Sequence, residues 1–216
     1  CKWTDDNYLL IGMANFYKRD YFEAIEDFDY VAKQYKNQST HFDAILWLAR
    51  SYLELGNMEQ AQLMFNIIDE DKKFPKKEKA GEISLIQSDF YMKQKNYELC
   101  ADNLSKALKR TKKRKYKIRY NYILAQLYSQ IGNNQKASFH YDQVLRLKPS
   151  NDMLFYAKIN RVKVYEINSS NSSKIRKELF RMSHDPKYEE FKDQIYYALA
   201  ELCEREHNRN EEIKYL

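Results

Sequence analysis

The chain has 216 residues, of which 44% are hydrophobic, enough for a continuous core, and its 37 basic against 31 acidic residues give a net charge of +6. No apolar run reaches the ~18 residues of a membrane-crossing helix, which excludes such a helix within these residues. Nineteen Tyr and eleven Phe with only four Gly and three Pro suit a nearly all-helical protein whose helix interfaces are filled by aromatics, and no segment has strand period.

In chain order, "GMANFYKRDYFEAIEDFDYV" places Gly12, Ala24 and Phe28 at offsets that recur further on. "AILWLARSYLELGNMEQAQLMFNII" places Ala49, Tyr52, Gly56, Ala61 and Phe65 there. A weaker third copy, "SDFYMKQKNYELCADNLSKAL", has Ser88, Tyr91 and Cys100, with Lys95 where the glycine would be. The fourth, "YILAQLYSQIGNNQKASFHYDQVLRLKP", has Ala125, Tyr128, Gly132, Ala137, Tyr141 and Pro149. Each copy reads as two amphipathic helices around a break. The small residues sit where helix axes approach closely, the glycine permits a positive φ at the turn, and the proline cannot continue the second helix. Ala24, Ala61, Cys100 and Ala137 recur at steps of 37, 39 and 37. After Pro149 the pattern loosens. Asn151 to Ile167 and Ser173 to Ser183 read as a fifth pair around "NSSNSS", Tyr188 to Glu206 as an eleventh helix, and a twelfth begins near Asn210 and stops at Leu216.

A fixed period of this kind marks a tetratricopeptide-like array. The expected fold is all-α, a right-handed superhelical solenoid of about six helix hairpins with the last truncated. It forms one domain over 1–216, regular over about 4–149 and degenerate over about 150–216. A first residue other than Met and the truncated last hairpin are expected of an excerpt from a longer polypeptide.

Catalytic chemistry has no sequence support. His41, His140, His184 and His207 are scattered without HExxH or other metal-ligand spacing. Phosphate-loop, dinucleotide and nucleophile-elbow motifs are absent, and three cysteines without CxxC spacing give neither a disulfide framework nor a metal site. The acidic cluster "EAIEDFD" (Glu23 to Asp29) falls on the outward face of a second helix. No enzyme activity, cofactor or metal is expected. The basic run "KRTKKRK" (Lys109 to Lys115) reads as the turn between the third and fourth hairpins, a solvated or partner-contact patch, with contact to an acidic surface or phosphate as the alternative and nucleic acid behind both for want of a binding module. "DKKFPKKEK" (Asp71 to Lys79) reads likewise as an inter-hairpin loop broken at Pro75.

In stacked hairpins the first helices line a groove that receives a partner segment. By repeat position Tyr17, Trp47, Arg50, Asp89, Lys93, Tyr122, Gln126, Lys158 and Arg161 project into it, with Trp47, Arg50 and Tyr122 the strongest candidates by residue type. A core role competes for Trp47, and intramolecular ion pairs compete for Arg50 and Arg161. Chaperone-tail-binding tetratricopeptide domains use a clamp of two Lys/Arg and two Asn, which these positions do not reproduce.

"WTDDNYLLIGMANFYKRDYFEAIEDFDYVAKQY", "AILWLARSYLELGNMEQA", "RYNYILAQLYSQIGN" and "DQIYYALAEL" together resemble the tetratricopeptide lipoprotein of the Bacteroidota type IX secretion and gliding-motility machinery, the SprE/PorW kind. The similarity runs from Trp3 to about Leu202; "MLFYAKINRV" is only close to the family's version, and the stretch after Glu204 diverges. The resemblance implies a periplasm-facing, non-enzymatic protein held to the outer membrane by a lipid anchor outside this segment. It would link the secretion translocon to the periplasmic ring and motor proteins, and Cys1 would be an ordinary internal residue. A general tetratricopeptide peptide-binding or chaperone-like adaptor is the alternative.

Overall fold

The computed structural model describes residues 3–164 and 172–215, and among them the regular structure is twelve α-helices and one 3-10 segment, with no strand. The chain divides into two compact units, Cys1–Arg110 and Thr111–Leu216.

The first unit holds three helix hairpins: α1 (Thr4–Lys18) with α2 (Tyr21–Gln34), α3 (Ser39–Glu54) with α4 (Met58–Glu70), and α5 (Lys76–Lys93) with α6 (Tyr97–Arg110). The first helices also lie side by side, α1 on α3 and α3 on α5. The second unit holds α7 (Arg114–Gln130) with α8 (Asn134–Arg146), then α9 (Asn151–Lys163), α10 (Ser172–Ser183), α11 (Lys192–Arg205) and α12 (Arg209–Tyr215), with α9 on α11 and α11 on both α10 and α12.

The small residues read from the period are the contact points. Ala24, Ala61, Cys100 and Ala137 on the second helices are all fully buried, as are Ala49 and Ala125 on the first. Gly12 is the tightest of these. A Cβ there would lie 2.6 Å from Phe28 Cε1, so only glycine lets the Phe28 ring seal the α1–α2 crossing. In the weak third copy Ser88 and Cys100 fill the same two places, with the Ser88 hydroxyl 3.3 Å from Cys100 Sγ and donating at 3.2 Å to its carbonyl. Serine and cysteine therefore serve there as small residues whose polar atoms partner each other.

The turns repeat as closely as the contacts do. Arg19, Gly56, Lys95, Gly132 and His207 all have positive φ, between 56° and 80°. The residue after each donates its N–H back to the residue five positions earlier: Asp20 to Asn15, Asn57 to Tyr52, Asn96 to Tyr91, Asn133 to Tyr128 and Asn208 to Cys203. Four of these residues are asparagines whose Oδ1 then accepts the N–H three residues on, at Gln60, Leu99, Lys136 and Glu211. One residue in the left-handed region closes each turn, and in the four asparagine turns a side-chain N-cap closes it a second time, whereas Asp20 makes no side-chain cap bond. Lys95 adopts φ 59° without being glycine, because the Asn96 bonds fix the turn around it.

Several boundaries differ from expectation. The eleventh helix does not begin at Tyr188: Pro186–Phe191 is 3-10, Tyr188 is non-helical at φ −111°, and α11 starts at Lys192. Asp185 accepts the Lys187 N–H ahead of Pro186, and Tyr188 and Phe191 turn inward to pack on Phe155 at 5.6 and 4.7 Å. The basic runs are only partly turns, since α6 continues to Arg110, α7 begins at Arg114 and α5 begins at Lys76 directly after Pro75. Where the fifth pair is expected stand α9 and α10, each packed on α11 and joined to the other through Glu178, while residues 165–171, with the end of the expected ninth helix and most of "NSSNSS", lie outside the described residues.

Candidate partner-binding surface

The nine residues expected to face a partner separate by what they touch. Trp47 is 7% exposed and belongs to the core: it stacks on Phe28 at 5.7 Å, meets Phe16 and Tyr17 edge-on at 5.2 and 5.9 Å, and carries the Arg50 guanidinium 4.6 Å over its ring. The large indole that suits an interface also suits the gap between hairpins, and here the gap takes it. Arg50 is held by Glu82 at 3.0 Å. Arg161 bridges Asp142 on α8 (2.7 Å) and Glu178 on α10 (2.9 Å), and Lys158 pairs with the same Glu178 at 3.0 Å. The expected contact role of Arg50, Arg161 and Lys158 is thus met by intramolecular carboxylates, which tie hairpins together.

Tyr122 is half-buried, with its hydroxyl accepting a hydrogen bond from Asn160 Nδ2 at 3.0 Å and its ring edge-on to Tyr141 at 5.9 Å. Burial raises its phenol pKa, and the Asn160 bond opposes that. Four candidates lie at the surface: Tyr17, 72% exposed, Asp89, Lys93, which is 4.0 Å from Glu54, and Gln126.

The second unit adds a site that was not among those nine. Ile159 and Lys163 on α9 and Asp193, Gln194, Tyr197 and Glu201 on α11 line an open groove of about 350 Å³. Tyr197 is 58% exposed, and Glu201 Oε2 is buried without a hydrogen-bond partner. Such a carboxylate oxygen is a standing demand for a donor. A sequence signal for the site existed. The position after the buried small residue is Arg50, Asp89 and Gln126 in the second to fourth hairpins, and continuing the step lands on Lys163 and Glu201. It was hidden because Val162, not a small residue, fills the fifth buried place.

Among the described residues there is no group of three or more His, Cys, Asp or Glu that could hold a metal ion, and no helix is long and apolar enough to cross a membrane. The surface offers grooves, charges and exposed aromatic rings.

Such a molecule is a helical-repeat protein, and sequence comparison gives the repeat its name. Residues 118–151 and 43–70 each match a family model described as a tetratricopeptide repeat, so the chain carries tetratricopeptide repeats. Solved structures titled as MamA are similar in fold. One is 17% identical with a TM-score of 0.57 over 98% of this chain and 96% of that one, and another is 17% identical with a TM-score of 0.55 over 93% and 97%. No curated protein sequence matches the chain.

Proposed function

We propose that this protein is a non-enzymatic docking scaffold whose first-helix faces hold other proteins. In this reading it is a component of the type IX secretion and gliding-motility machinery, held at the periplasmic side of the outer membrane and linking the translocon to its ring and motor. The observation that carries the docking role is the α9–α11 groove, with exposed Tyr197 beside the unpartnered Glu201 carboxylate. Exposed tyrosine and a desolvated charge are features on which binding energy concentrates. The pathway and the compartment rest on the resemblance of "LWLARSYLELG", "RYNYILAQLY" and "DQIYYALAEL", in this order, to the secretion family.

A general peptide-binding adaptor is the second reading, and the tetratricopeptide repeats fit it equally. Two experiments separate the claims. Y197A combined with E201Q should abolish capture of partners from envelope extracts with helicity unchanged, and undiminished capture removes the groove from the docking surface. Deletion of the gene should block export of type IX cargo, and intact export leaves the general adaptor.

A further inference from the structure

Between Asp102 and Asp142 the chain has ten Lys and Arg and no Asp or Glu. Outside that stretch the balance reverses to 27 basic against 31 acidic residues, from the chain totals of 37 and 31. The positive net charge is therefore confined to one stretch of sequence.

Within the second unit the fold gathers this charge rather than dispersing it. Lys112 and Lys113 precede α7, and Lys115 and Arg119 lie one turn apart on it. Arg114 ties the start of α7 to the end of α8, donating from Nε to the Leu147 carbonyl at 2.7 Å and from Nη2 to the Lys148 carbonyl. That clamp brings the chain segment bearing Arg146 and Lys148 to the same edge. Lys112, Lys113, Lys115, Arg119, Arg146 and Lys148 are all exposed, and among the described residues none of them is in an ion pair. Arg161, Arg176 and Lys158 in the same unit are each held by carboxylates.

We infer that this edge is a docking surface for an acidic protein segment, a stretch rich in Asp and Glu. Uncompensated cations at one edge raise the local potential and call for an anionic partner. The details favour carboxylates over nucleic acid or a lipid surface. Most of the free cations are lysines, while Arg114, whose planar fork would grip a phosphate, spends its donors on the two carbonyls. The one aromatic pair at the edge is already engaged: Tyr116 stacks with Tyr120 at 6.0 Å and takes the Lys115 ammonium 4.9 Å over its ring, leaving a poor platform for a base. This site is separate from the α9–α11 groove, so either can stand without the other.

The test uses the whole chain at physiological ionic strength with three probes: a fluorescent Glu/Asp-rich peptide, phosphatidylserine vesicles and a random-sequence DNA duplex. The peptide should bind, and K112E/K115E/R119E should weaken it by about tenfold or more. K72E/K73E/K77E, the same charge change at exposed positions of the first unit, should leave it nearly unaltered. The inference is overturned if the peptide does not bind, if the control weakens it as much, or if vesicles or duplex bind and the peptide cannot displace them.

Discussion

Acidification should loosen the second unit through one half-buried histidine. The His140 ring stacks on Tyr128 (5.4 Å, 13°), and its Nδ1 donates to Asn121 Oδ1 at 2.8 Å in the neutral form, while Asn121 Nδ2 donates to the Lys117 carbonyl at 2.7 Å. Burial, aided by the nearby Lys136 ammonium, pushes the imidazole pKa from 6.5 down to about 4. Because the folded value is depressed, the unfolded chain takes up a proton first. The contribution is fully present above pH 6.5 and is lost as pH falls from there toward 4. At pH 5, about 1.5 units below the unfolded value, the loss is about 2 kcal/mol before allowance for solvent, at about 1.36 kcal/mol per unit. The ring is only partly buried, and screening reduces this to about 1 kcal/mol. Urea unfolding at pH 7 and pH 5 of the natural chain and H140Q measures it, since carboxylates that titrate in both variants cancel in the difference. An equal pH 7 to 5 loss in the two variants, or an NMR titration of His140 near 6.5, would refute the reasoning.

Other substitutions test the packing and the turns. W47A should cost about 3–5 kcal/mol in chemical denaturation, because the indole fills the space among Phe16, Tyr17 and Phe28; a cost under about 1 kcal/mol would return Trp47 to the surface. G12A should cost about 1–3 kcal/mol, since its Cβ meets the Phe28 ring at 2.6 Å, and F28L should recover part of that loss in the double variant. K95G should raise stability by about 0.5–1 kcal/mol by relieving a left-handed lysine, whereas G132A should lower it by about 1 kcal/mol. N133A, which removes the cap on Lys136 N–H, should cost about 1 kcal/mol with the helix content nearly unchanged by circular dichroism.

The hairpins were legible because their determinants are local. A small residue on each facing helix and a break between them are read along the chain, and Ala24, Ala61, Cys100 and Ala137 are all fully buried as their spacing requires. Asn57, Asn96, Asn133 and Asn208 carried a further signal that the period contains but that the glycines overshadowed: each caps the second helix of its hairpin. The 3-10 segment before α11 was not legible, because Phe155, more than thirty residues upstream, is what draws Tyr188 and Phe191 inward. The candidate contact residues were less legible still. Helical spacing shows which side of a helix a residue takes, but not which neighbours take that side with it. Phe28 from α2 turns Trp47 into core, and Glu178 from α10 pairs with both Arg161 and Lys158.

That distinction bears on how a repeat of nearly constant geometry acquires selectivity. The position after the buried small residue is presented again in each hairpin, but its occupant changes from Arg50 through Asp89 and Gln126 to Lys163 and Glu201. At Arg50 the charge is already matched by Glu82, so the position serves stability. At Glu201 one carboxylate oxygen has no donor, so the same position keeps an unmet demand that a bound chain can satisfy. Leaving a buried polar atom unmatched costs folding energy, and a segment offering a donor there recovers that cost while one lacking it does not. E201Q keeps the size of the side chain and removes its charge. It should therefore raise stability slightly, by up to about 1 kcal/mol, while weakening partner capture. A variant that lost stability and capture together would make Glu201 part of the scaffold rather than of the contact.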